Sequence, residues 1–138
     1  MTDLVDHTLQ MWRQTKFAWG QRDCLLSISD YLVMCGAPDI GQRFRGTYDS
    51  EAGAHAIIEA HGGIAPLIDL SGVRQIEPGQ VQRGDVVVID PRDDTDRFGV
   101  CGLCTGGLIA FRAERSVIEV RSHHLMMKNA WSVGTCRE

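Results

Sequence analysis

The chain has 138 residues, a net charge of −4 from 14 Lys and Arg against 18 Asp and Glu, and five cysteines. That length suits one domain with a core of its own, and no apolar run approaches the roughly 18 residues needed to cross a bilayer. Scattered arginines without a Lys/Arg cluster argue against a nucleic-acid surface. Met1–Asp6 lacks a basic segment followed by an apolar stretch, so the expected compartment is the cytoplasm and the five cysteines are expected as reduced thiols.

Residues 3–16 place Leu4, Val5, Leu9 and Trp12 on one side and Asp3, Asp6, Gln10 and Arg13 on the other, which predicts an amphipathic helix. After a turn, Phe17-Ala-Trp-Gly20-Gln-Arg-Asp23-Cys24 leads into Leu25 to Gly36. Leu25, Ile28, Leu32 and Cys35 recur at helical spacing, Asp23 or Arg22 stands near the N-cap, and Gly36 stops the helix. Cys24 then falls on the first turn. Unpaired N–H groups and the positive end of a helix favour a thiolate, so a nucleophilic cysteine belongs there; so does a small buried apolar residue.

Ala37–Gly46 is expected as a loop. Asp49 or Ser50 caps a third helix running to about His61, with Ala52, Ala56, Ile57 and Ala60 facing inward and Gly62-Gly63 ending it. A further short helix fits Ile64 to Leu70. From there the period changes to two. Val81–Asp90 is a turn followed by a β-branched strand, and Pro91–Asp96 is a charged loop. Phe98–Leu103, Leu108–Arg112 and Ser116–Arg121 are three more strands, with Thr105-Gly106-Gly107 as a hairpin turn. A last strand is expected around Ala130–Val133. A helical part over residues 1–70 and a β part over 81–133 make one α+β domain.

A Trp-Gly-x-x-Asp-Cys helix start, a Gly84-Asp85-Val86 strand entry and a Phe98-Gly-Val-Cys-Gly strand together resemble the NlpC-type branch of the papain-like cysteine peptidases. More closely, they resemble a phage- and prophage-associated family of small tail-tip domains derived from that fold. The resemblance covers roughly residues 17–133. It implies a papain-like fold with Cys24 at the nucleophile position and a basic histidine directly ahead of the strand at Phe98. That position holds Arg97, which cannot accept a proton from a thiol. The third catalytic position falls near Ile109-Ala110-Phe111, none of which is His, Asn or Gln. Only a shifted alignment offers an imidazole, at His123 or His124.

On the strand starting at Arg97, positions 97, 99 and 101 share a face; with position 97 facing the nucleophile, as the resemblance implies, Cys101 points at the Cys24 helix, as core packing or as an oxidisable pair. Cys101 and Cys104 have the spacing of half a metal site, but strand alternation sends them to opposite faces, and no metal or other cofactor is expected. His55 and His61 are expected at the surface, and Trp12, Trp19 and Trp131 as core or interface anchors. Two functions follow from the resemblance. One is a non-catalytic structural component of a phage tail tip or baseplate, made in the cytoplasm and assembled into the virion, docking onto hub and other tail proteins. The other is an active peptidase or amidase that cuts peptidoglycan stem peptides, with Cys24 as nucleophile and His123 or His124 as an unconventional base. A weaker third is a metal- or cluster-bearing assembly factor using Cys101 and Cys104.

Overall fold

A computed structural model describes residues 3–90, 98–123 and 126–134. Four helices precede a six-stranded sheet: α1 Leu4–Gln14, α2 Cys24–Met34, α3 Glu51–Ala60, α4 Ile64–Asp69, then β1 Arg74–Ile76, β2 Val86–Ile89, β3 Val100–Cys104, β4 Leu108–Arg112, β5 Val117–Arg121 and β6 Met127–Ser132. The sheet order is β1-β6-β2-β3-β4-β5, and every neighbouring pair is antiparallel. The fold is α+β, as the change of period predicts.

Helices α1, α2 and α3 start where short polar side chains can satisfy free N–H groups. Asp3 accepts from Val5 and Asp6, Asp23 from Leu26, and Ser50 from Gly53. α1 buries Val5, Leu9 and Trp12 as expected, together with Thr8. α2 is enclosed more widely than one stripe: Leu26, Ser27, Ser29 and Tyr31 join Ile28 and Leu32, while Leu25 is only half-buried. In α3 the expected inward face is wrong. Ala54 and Ile58 are buried, whereas Ala52, Ala56 and Ala60 are exposed and Ile57 is half-buried. Four alanines in ten residues give the periodicity no contrast, and the isoleucines alone decide the orientation. Two features went unanticipated: a 3-10 turn over Ile40–Arg43 inside the expected loop, and strand β1.

The sheet has two apolar faces. Val86, Val88, Cys101, Leu103, Ala110 and Trp131 pack against the helices in the main core. Val87, Ile89, Cys104, Ile109, Met127 and Ala130 form a second cluster, to which Ile76, Val81 and Phe111 add. All its members come from strands or their connections, so no helix contributes to this face of the sheet. Trp131, fully buried, spans from β6 to α4 through its indole N–H, which donates to Asp69 at 2.8 Å. Cys35, the C-cap of α2, is disulfide-bonded, which corrects the expectation of five reduced thiols.

Candidate functional site

The start of α2 is built as a polar knot around a buried carboxylate. Gly20, at φ 78°, turns the chain so that Ala18 bridges Arg22 and Asp23 reaches the N-cap. Asp23 is 1 % exposed and accepts three hydrogen bonds: from Leu26 N at 2.9 Å, from Gly20 N at 3.0 Å, and from the Tyr48 hydroxyl. Tyr48 belongs to the segment entering α3. It is wedged between two glycines. A Cβ on Gly20 would stand 1.9 Å from the Tyr48 carbonyl oxygen, and one on Gly53 would stand 2.7 Å from the Tyr48 Cβ. Gly46 N closes the crossing with a 2.8 Å bond to the Gly20 carbonyl. Burial and the Asp23 carboxylate hold the Tyr48 phenol far above its ordinary range, so it stays a donor.

Cys24 follows at the first turn, half-buried, with its thiol beside that of Cys101 on β3. Cys101 is wholly enclosed. The adjacent Cys24 thiol, then burial, push its own thiol well above the usual range. The pair expected from strand alternation is thus present, with both sulfurs free. Cys104, three residues on, lies in the other apolar cluster and directs its sulfur to the Gly106 carbonyl at 3.5 Å. Its separation from Cys101 by the sheet removes the half-site for a metal, and among the described residues no group of three His, Cys, Asp or Glu could hold one.

The strand register decides where His123 goes. Leu103 pairs with Ala110 and Cys104 with Ile109, which places Cys101 level with Arg112 and therefore with Val117 at the start of β5. Ser122 bonds Gly107, at the opposite end of that strand pair. His123 leaves the sheet there, exposed and remote from Cys24. Arg97 and His124 lie outside the described residues. At the third catalytic position Ile109 and Ala110 are fully buried core. His55 departs from expectation: it is half-buried on α3, with its ring 5.2 Å from that of Phe98, directly ahead of β3. His61 is exposed, bonded to the Ile57 carbonyl and edge-on to Phe44.

Gly84-Asp85, the strand-entry motif, is structural. The Tyr31 hydroxyl of α2 donates to the Gly84 carbonyl at 2.6 Å. The buried Asp85 carboxylate accepts from Gln82 N and Val133 N, both at 3.0 Å, joining the entry of β2 to the end of β6. Tyr48 is the site residue that the sequence hides. Its only trace is a glycine on each of the two segments it crosses.

Fold and site together define an α+β domain with a thiol at the head of a helix, held against a second, buried thiol. The chain belongs to a family described as a domain of unknown function, DUF6950, whose profile matches residues 2–133. No curated protein and no solved structure matches it.

Proposed function

We propose that this chain is a papain-like domain of the NlpC type that has lost hydrolysis and serves as a structural component of a phage tail tip or related particle, docking onto hub and tail proteins. The observation that carries the loss of chemistry is the neighbour of Cys24. The group beside its sulfur is a buried thiol whose enclosure favours the protonated form, a poor partner for taking a proton from a nucleophile or delivering one to a leaving group. The residue ahead of β3 is an arginine in the sequence, and the register takes His123 away. The phage setting rests on the family resemblance of the Trp-Gly-x-x-Asp-Cys and Gly-Asp-Val motifs.

Two measurements test the two halves. Incubation with purified peptidoglycan and stem-peptide fragments is expected to release nothing; release that disappears in Cys24→Ala would make the chain an enzyme. Mass spectrometry of purified phage-like particles from the source strain is expected to find the chain with the tail proteins. Its absence from such particles would remove the structural role.

A further inference from the structure

Arg112 is the one arginine that the fold buries without a carboxylate among the described residues. It ends β4, is 5 % exposed, and its Nη2 donates to the Thr15 carbonyl and to Thr15 Oγ1, each at 2.8 Å. Both acceptors are neutral. The ion pairs among the described residues engage Arg13, Arg45 and Arg83. Asp23, which acts on Arg112 from a distance, already accepts hydrogen bonds from Gly20, Leu26 and Tyr48. A buried guanidinium in this state has no carboxylate in direct contact among the described residues, and Asp23 and Asp30 favour its charge only from a distance.

It lines a groove of about 550 Å³ between the end of α1 and the β4–β5 turn. Lys16 and Arg115 stand exposed on the same groove, and the half-buried Phe17 supplies an aromatic wall, with Trp12 buried beneath. Glu114 also borders it, yet forms no ion pair with these cations among the described residues. A guanidinium presents its N–H groups in a planar fork that fits two oxygens of one anion. Thr15 occupies only part of that fork.

We propose that this groove is an oxyanion-binding site, in which Arg112, with Lys16 and Arg115 at its rim, takes a carboxylate or phosphate group while the aromatic wall receives the apolar remainder of the ligand. The site is independent of whether Cys24 performs chemistry.

The test is a titration of the full chain with sodium succinate and, separately, sodium phosphate at constant ionic strength, followed by backbone and arginine side-chain amide shifts. Saturable shifts confined to Thr15–Phe17 and Arg112–Val117 are expected, with affinity falling about tenfold in Arg112→Gln, as loss of one charge-assisted contact implies. A response to succinate alone assigns a carboxylate ligand, and a response to phosphate alone assigns a phosphate. Should Arg112→Gln fail to fold, the exposed pair Lys16→Gln and Arg115→Gln decides, with weakening of several-fold expected. No saturable shift with either anion, or an affinity unchanged in the variants, overturns the proposal.

Discussion

At the scale of single residues, the two tyrosines carry the sharpest consequence. The chain has only Tyr31 and Tyr48. Burial and the carboxylates beside them, Asp85 near Tyr31 and Asp23 bonded to Tyr48, push both phenols above their ordinary value of 10.0. The unfolded chain ionises near that ordinary value, and the folded chain only well beyond it. Both groups therefore contribute stability that is complete below about pH 10 and is lost as pH rises further. Tyrosinate absorbance is expected to stay absent at pH 10 to 11 and then to rise together with loss of near-ultraviolet circular dichroism. A rise near pH 10 in a chain still folded would contradict the burial of both rings. Tyr48→Phe removes a hydrogen bond to a buried carboxylate and is expected to cost about 1.5 to 3 kcal/mol in denaturant unfolding.

At the scale of elements, the crossing of two chain segments ahead of α2 and α3 is the tightest point. Gly20→Ala would strain a residue at φ 78° and drive its Cβ into the Tyr48 carbonyl. Overpacking and conformational strain together predict a loss of about 2 to 4 kcal/mol, measured as a shift in the urea midpoint at constant slope. A neutral outcome would mean the segments do not cross as described. Much of this architecture was legible beforehand, and the reasons differ by element. α1 and α2 carry leucine, isoleucine and tryptophan at helical spacing beside good caps, α4 carries its apolar residues between glycines, and β2 to β5 alternate or branch at Cβ. α3 misled because alanine buries and exposes at almost equal cost. β1 gave no signal at all: Arg74-Gln75-Ile76 is three residues long, mostly exposed, and exists because β6, more than fifty residues later, pairs with it. The meeting of Cys24 with Cys101 followed from counting along one strand. Tyr48 could not be found that way, since a loop residue's neighbours are set by tertiary crossing and not by period.

At the scale of the whole molecule, the sheet depends on its last member. β6 lies between β1 and β2, and Asp85 is bonded to Val133 just beyond its end. A chain ending at residue 122 would leave β1 unpaired, open one side of β2, and lose Trp131 with its bond to Asp69. Such a truncation is expected to give an amide spectrum without dispersion and no cooperative thermal transition. Native-like dispersion in the shortened chain would show that the helices and β2–β5 are self-sufficient.

That placement also sets an order in time. A ribosome delivers the helices first and the strand that joins the two sides of the sheet last, so the nascent chain holds its cysteines, both tyrosines and the rims of the Arg112 groove before it can lock any of them in place. If the shortened chain is unfolded as expected, the domain matures in one late step, and the surfaces it offers a partner form together only once β6 has emerged.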